Sequence, residues 1–144
     1  MTWGDALENI NFIAVALGTV ATLFIGAFWY SPKVLGGDWA KLVGLKQKDL
    51  EGKQAKEAMP FLMANSIIFY FIASVVLATL MQLSGMTDAL EGLLMGAVIG
   101  FAFAFGPLSV TYGFARRKFE LSLLDGGYMI AALAASGWVI GVMS

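Results

Sequence analysis

Residues 10–30 read INFIAVALGTVATLFIGAFWY and contain no charged side chain. A helix crosses the hydrocarbon core of a bilayer with about 20 apolar residues, because each residue adds about 1.5 Å of length. Three more stretches of this kind follow, at about residues 60–83, 93–112 and 121–143. None of them alternates like the strands of a transmembrane barrel, which are shorter and more numerous. The sequence therefore predicts an all-α fold, an integral membrane four-helix bundle.

The composition of the whole chain agrees with this class of protein. The 144 residues are 59% hydrophobic and only 13% charged, with a mean hydropathy of +0.79. Soluble domains carry about 25% charged residues, and a soluble monomer of this composition would expose large apolar patches. Disorder is excluded because disordered segments have low hydrophobicity. We expect residues 1–144 to form a single transmembrane domain.

The residue types that are absent exclude several kinds of chemistry. The chain has no Cys and no His, and its net charge is −1. Disulfides, thiolate nucleophiles, Ser-His-Asp catalysis, the usual zinc sites and His-ligated haem all need one of these two residues. The net charge gives the chain no general attraction to nucleic acid. We therefore predict no catalytic residues, no metal, no cofactor and no nucleic-acid partner.

The basic residues predict an orientation in the membrane. Residues 31–59 hold six lysines, and residues 113–120 hold the other three basic residues of the chain. The linker at 84–92 and the N-terminal tail carry only acidic charges. By the positive-inside rule, linkers 31–59 and 113–120 are cytoplasmic and both termini lie outside. Since no base precedes Lys33, we expect a retained first helix rather than a cleaved signal peptide.

The long first linker contains a short amphipathic segment. Residues 38–47 read DWAKLVGLKQ, which places Trp39, Leu42 and Val43 on one helical face. This pattern predicts a short interfacial helix whose lysines contact anionic lipid. Trp29 and Trp39 are expected to act as interfacial anchors.

The second half of that linker is rich in charges of both signs. Residues 49–58 read DLEGKQAKEA and allow pairs at i,i+4 spacing, Asp49 with Lys53 and Lys53 with Glu57. A solvated helix that extends the second span is the favoured interpretation, and an interfacial role is the alternative. Pro60 is expected at the first helical position of that span, where its missing N–H costs nothing.

Small residues recur on one face of three spans. Packing of small residues holds helices together in lipid, where apolar burial gives no drive between helices. The glycines in these stripes are Gly18 and Gly26 in the first span, Gly92, Gly96 and Gly100 in the third, and Gly137 and Gly141 in the fourth. They predict packing surfaces that either close one chain or join subunits, so a homo-oligomer or a subunit of a membrane complex is expected. Gly106-Pro107 predicts a kink in the third span.

Polar residues from all four spans are predicted to meet near the cytoplasmic face. Asp125 is the only acid well inside a span, and an acid within a span is a functional candidate. A structural tie, in which Asp125 caps the helix start or pairs with an arginine or a tyrosine hydroxyl, is the favoured interpretation, and a ligand or ion site is the alternative. For Asn65 and Tyr70, a hydrogen-bonding contact between helices is favoured over a ligand role. The candidate polar site comprises Tyr30, Asn65, Tyr112, Arg116, Arg117, Asp125 and Tyr128.

Two segments carry a family resemblance. Residues 26–39, GAFWYSPKVLGGDW, and residues 112–128, YGFARRKFELSLLDGGY, resemble the signature of a bacterial membrane family named domain of unknown function 1761. Met129 stands where family members often have a His. The resemblance implies a four-helix inner-membrane protein and supplies no accepted activity. The matching positions are Trp29, Tyr30, Ser31, Pro32, Gly36, Trp39, Asp125, Gly126 and Tyr128.

Three classes of function follow from these features. The first is a small non-enzymatic polytopic membrane protein that acts as an interaction partner, complex subunit or oligomeric scaffold. The second is a small oligomeric transporter or channel with a cytoplasmic-side polar site around Asp125, although an ion path needs polar groups along its depth. The third is an interfacial enzyme using Asp125 with Arg116 and Arg117, which lacks a nucleophile, a metal set and a phosphate loop.

Overall fold

The computed structural model describes residues 1–144 and contains only helices. Four helical segments are long and apolar enough to cross a membrane, which confirms the predicted fold class. The helices are α1 (Trp3–Glu8), α2 (Phe12–Trp29), α3 (Gly36–Val43), α4 (Gln47–Glu51), α5 (Lys53–Ser84), α6 (Ala89–Ile99), α7 (Gly106–Phe114) and α8 (Phe119–Val142). The four long apolar segments are α2, α5, the nearly continuous pair α6 and α7, and α8.

The start of α5 differs from the sequence prediction. The helix begins at Lys53 and runs through Pro60, so the expectation of Pro60 at the first helical position is wrong. The residues before the proline are strong helix formers, and an exposed Lys53–Glu57 ion pair of 3.7 Å spans this turn. Asp49 does not pair with Lys53, because its carboxylate accepts the backbone N–H of Lys46 at the start of α4. Residues 53–58 thus extend the second span as an exposed helix, whereas residues 49–51 belong to α4 and are separated from it by the extended backbone of Gly52, so the predicted extension is wrong for its first residues.

The two ends of the bundle differ in charge. Asn11 at the start of α2 donates its side-chain N–H to the carbonyl of Met143 at 3.3 Å, so both termini lie at one end. The turn between α5 and α6 lies there too, since Asp88 packs against Gly141. We call this the acidic end. All nine lysines and arginines lie toward the other end, which we call the basic end.

Helix α8 forms the centre of the bundle and packs antiparallel to α6 with the two backbones in contact. A Cβ on Gly137 would lie 2.7 Å from the carbonyl carbon of Gly92, and one on Gly96 would lie 2.6 Å from that of Leu133. Both distances are shorter than real Cβ contacts, so the close approach requires glycine at these positions. Gly141 meets the backbone of residue 88 in the same way.

Helix α2 packs on another face of α8 through two glycines. A Cβ on Gly18 would lie 2.7 Å from the Ser136 hydroxyl, and one on Gly26 would lie 3.0 Å from the Tyr128 hydroxyl. Gly100, just after α6, adds a close approach to the α8 backbone. The glycines of the three stripes therefore lie at helix contacts inside one chain.

The core lies toward the acidic end. Ser74 on α5 and Ser136 on α8 are buried there and share a hydrogen bond of 2.8 Å. Every buried polar side-chain atom in the structure has a hydrogen-bond partner. Helix α5 is buried only in this half, whereas its basic half leaves α8 and exposes its apolar side chains. The apolar cluster consists of Ile10, Ala14, Val15, Leu77, Ala78, Met81 and Ile140.

A π-helical turn at Gly100–Phe105 interrupts the third span directly before Pro107. The backbone N–H of Gly106 donates to the carbonyl of Phe101, one residue further back than in an α-helix. The π turn thus lies immediately before the Gly106-Pro107 pair, at which the sequence predicts a kink. Helix α7 follows the π turn directly and continues the third span to the basic end.

Candidate functional site

A cavity of about 820 Å³ opens at the basic end, where α5 separates from α8. Its size falls within the roughly 300–1,000 Å³ typical of small-molecule sites. Residues of α3, α4, α5, α7 and α8 and the end of α2 line it, so all four spans contribute. The side chains that define its chemistry are Tyr30, Trp39, Ser66, Tyr112, Asp125 and Tyr128.

Asp125 lies at the base of this cavity, in the second turn of α8. It is 7% exposed and is the only charged side chain among the buried residues. The Tyr30 hydroxyl donates to one carboxylate oxygen at 2.6 Å, and the Tyr112 hydroxyl donates to the other at 2.9 Å. Such bonds to a charged acceptor are stronger than neutral ones. No lysine or arginine forms an ion pair with Asp125. The only ion pair in the structure joins Lys53 and Glu57.

Aromatic rings surround the carboxylate. The Tyr30 ring lies 5.8 Å from the Trp39 ring and 5.2 Å from the Tyr128 ring, at interplanar angles of 79° and 74°. Tyr70 on α5 makes a third edge-to-face contact, 6.0 Å from Tyr128. These near-perpendicular pairs are the favoured geometry for aromatic contacts and hold the rings in fixed positions.

The turn after α2 places Trp39 against Tyr30. The backbone N–H of Gly36 donates to the carbonyl of Ser31 at 2.9 Å, which folds α3 back beneath the end of α2. A Cβ at residue 36 would collide with the carbonyl of Tyr30, so only glycine fits this turn. Helix α3 begins at this glycine and brings Trp39 to the cavity wall.

Trp29 fixes the end of α2 against α8. Its indole N–H donates to the backbone carbonyl of Leu124 at 3.0 Å, one residue before Asp125. Trp29 is half-buried, and so is Trp39. The two tryptophans predicted as interfacial anchors thus also make contacts inside the chain that position the site.

Three of the predicted site residues lie outside the cluster. Asn65 is exposed on α5 and makes no side-chain hydrogen bond, whereas Ser66 lines the cavity. Arg116 and Arg117 are exposed in the turn before α8 and form no ion pair. Of the partners considered for Asp125, the structure brings the tyrosine hydroxyls to it and not the arginines.

Several residues in or beside the cavity were not among the predicted site residues. Met59, Leu62 and Ser66 line the cavity from α5, and Tyr70 continues the same face toward Tyr128. Their spacing of three and four residues is a helical-face signal that could have identified them. Glu51 also lines the cavity, but nothing in its charge-rich surroundings distinguishes it. No cluster of three acidic side chains able to hold a metal is present.

Comparisons with known proteins identify the family. No curated protein and no solved structure matches the chain. A family model described as "Protein of unknown function (DUF1761)" matches residues 13–141, which covers all but the first residue of α2 and the last residue of α8 among the four apolar helices, and both segments that line the cavity around Tyr30 and Asp125. The chain therefore belongs to the DUF1761 family of proteins of unknown function, and it has the four long apolar helices of a membrane protein.

Proposed function

We propose that this chain is a non-enzymatic membrane protein that binds a ligand in the cavity at its basic end. The observation that carries the proposal is the position of Asp125, which is buried, bonded by two tyrosine hydroxyls and still exposed to the cavity at its base. Burying a carboxylate without a cationic partner lowers the stability of a membrane protein, because the charge loses its hydration. Such residues therefore usually serve a function.

The chemistry of the lining supports a binding role over catalysis. The charged residues that line the cavity are Glu51 and Asp125. Each carboxylate oxygen of Asp125 already accepts one hydroxyl, and no activated nucleophile lies beside it. Apart from Gln47 and Ser66, the other side chains of the wall are aromatic or apolar, as is typical of small-molecule sites.

A transporter is the second candidate, favoured by a small cavity at the acidic end. This cavity has a volume of about 150 Å³ and lies between the ends of α2, α5 and α8. The hydrogen-bonded Ser74–Ser136 pair and the apolar cluster separate it from the larger cavity. An open channel would need polar groups along its whole depth, and the apolar cluster between the two cavities provides none. A transporter with this packing would therefore work by alternating access, opening one cavity at a time.

Lateral assembly is a further part of the proposal. The pair α6 and α7 is the least buried of the four apolar segments, with Phe101, Phe103 and Phe114 exposed. Because the glycine stripes are used inside the chain, a homo-oligomer or a complex would form through this flank instead. Native mass spectrometry in detergent would give the copy number, and a strictly monomeric protein with no attached partner would refute assembly.

We also propose that the basic end is cytoplasmic in the bacterial inner membrane, with lysines of the first linker near anionic lipid and both termini outside. A reporter that is active only outside the membrane should be active after Ser144 and silent when inserted at Gly52. The reverse pattern, or activity at both positions, would contradict this orientation.

The binding cavity is tested by thiol accessibility, since the chain has no cysteine. The Ser66→Cys variant places one thiol in the cavity, and Ile68→Cys places one on the exposed apolar face of the same helix. Thiolates form in water and not in lipid, so a membrane-impermeant maleimide added from the basic end should label only Ser66→Cys. Equal protection of both variants would show that the cavity is closed to water and would refute the proposal.

A further inference from the structure

We infer that the cavity selects an organic ammonium cation with an apolar body, an inference that rests on the binding role proposed above. The ammonium group would lie beside Asp125 among the aromatic rings, and the apolar body would lie along α5. Four features of the cavity lead to this ligand class.

The first feature is the sign of the charge. Glu51 and Asp125 are the only charged side chains that line the cavity. None of the nine lysines and arginines does, although all nine lie toward this end of the bundle. A phosphate or carboxylate ligand would meet two acids and no base, so the cavity disfavours anions and favours cations.

The second feature is the aromatic wall. Tyr30, Trp39 and Tyr128 line the cavity, and the Tyr30 ring is nearly perpendicular to each of the other two. The faces of aromatic rings attract cations, and groups of such rings recognise quaternary ammonium ligands. A carboxylate beside these rings adds a full negative charge to that attraction.

The third feature is the poor match to an inorganic ion. Ca²⁺ takes six to eight oxygen ligands, and Mg²⁺ takes six in strict geometry. Here no cluster of three acidic side chains is present, and both oxygens of Asp125 accept tyrosine hydroxyls. A weakly hydrated organic cation needs no such set of ligands and gains from apolar surroundings.

The fourth feature is the apolar part of the wall. Leu50, Met59, Leu62 and Met129 line the cavity, and methionine side chains adapt to ligands of different shape. Helices α5 and α7 make little or no contact with each other, so in a bilayer we expect the cavity to open toward the lipid between them. An amphipathic amine can therefore come either from the aqueous phase or from a lipid with an ammonium headgroup.

The test uses benzyltrimethylammonium, titrated by calorimetry into the full chain in a neutral maltoside detergent that contains no amine. We expect saturable binding with one site per chain. The neutral isostere neopentylbenzene and the anion phenylacetate should compete at least about ten-fold more weakly, because neither can pair with a carboxylate. This comparison needs no variant, so it stands even if substitutions at the site impair folding.

Variants then locate the site. Asp125→Asn should weaken binding of the cation by about ten- to hundred-fold, because it removes the ionic attraction between the carboxylate and the nearby cation. Glu120→Gln is the matched control, since it removes an acid from the exposed first turn of the same helix and should leave the affinity unchanged. Trp39→Leu, which removes one ring of the wall, should weaken binding without changing its stoichiometry.

Two further arms distinguish the sources of the ammonium group. Added phosphatidylethanolamine competes with the probe if the natural ligand is a lipid headgroup, whereas phosphatidylglycerol does not. Absence of competition by either lipid assigns the site to a free amphipathic amine.

Equal binding of the cation and its neutral isostere would overturn the inference, and so would equal effects of Asp125→Asn and Glu120→Gln. These failures are separable from failure of the binding role itself. If the binding role itself fails, Ser66→Cys is protected from aqueous maleimide. If Ser66→Cys is labelled but the chain does not prefer the cation, only the ligand class is refuted.

Discussion

Replacing Gly137 by alanine tests how closely α6 and α8 approach each other. The new Cβ would lie 2.7 Å from the carbonyl carbon of Gly92 and closer still to its oxygen. To reach the ordinary contact distance of 3.4 Å, the two backbones must separate by at least about 0.7 Å. That shift propagates along the helix pair, because Gly96 and Gly141 make equally tight contacts above and below.

The magnitude follows from two opposing effects. Alanine is better than glycine inside a helix by up to about 1 kcal/mol. Forcing one methyl group into a packed contact costs about 1–3 kcal/mol. Gly137→Ala should therefore lower the free energy of unfolding by up to about 2 kcal/mol. Gly113→Ala is the control, because a Cβ there meets nothing within 4 Å and only the gain in helix propensity remains.

The assay is unfolding by sodium dodecyl sulfate in mixed micelles, followed by circular dichroism for both variants and the parent chain. We expect Gly137→Ala to unfold at a lower detergent fraction than the parent and Gly113→Ala at an equal or higher one. If both alanine variants were equally stable, the α6 and α8 backbones would not be in contact, and the account of the glycine stripes as internal packing surfaces would be refuted.

Three other substitutions test the contacts that position the site. Gly36→Ala should displace α3 and change the fluorescence of the cavity tryptophan, whereas Gly37→Ala, with nothing within 4 Å of its Cβ, should leave the emission unchanged; similar spectra would contradict the tight turn. A double-mutant cycle on Ser74→Ala and Ser136→Ala should give a coupling of about 0.6 kcal/mol, typical of hydrogen bonds between membrane helices, and a coupling of zero would show that the pair does not form. Trp29→Phe keeps an aromatic side chain but removes the pyrrole ring with its N–H bond to α8, so it should lower stability by at least about 1 kcal/mol in the same unfolding assay; an unchanged midpoint would argue against that bond.

The four long helices could be predicted because the bilayer thickness imposes a length on every apolar stretch. The start of α5 could not, since the preference of proline for the first helical turn is statistical and an exposed helix tolerates one missing hydrogen bond. Lys56, whose carbonyl loses its partner at Pro60, lies on the exposed part of α5. Water can satisfy that carbonyl, so the helix continues back to Gly52.

The level of the polar residues could be predicted, but their rotation around the helices could not. Counting 1.5 Å per residue from the helix ends places Tyr30, Tyr112 and Asp125 at one depth, and the structure joins them by hydrogen bonds. Asn65 lies at a suitable depth too, yet it points away while Ser66 lines the cavity. Neighbouring residues differ by about 100° around a helix, so only the packing of α5 decides which of them faces inward.

Three consecutive residues of α8 connect the site to the fold. A Cβ on Gly126 would collide with the Phe105 ring of the π turn, and one on Gly127 would lie 3.2 Å from the Trp29 ring at the end of α2. Asp125 directs its carboxylate to the two tyrosines. Because successive residues point in directions about 100° apart, one short segment can hold the π turn, α2 and the cavity in fixed relation. A larger residue at either glycine would therefore move an element that carries or adjoins a tyrosine donor, and so would alter the carboxylate site without touching it.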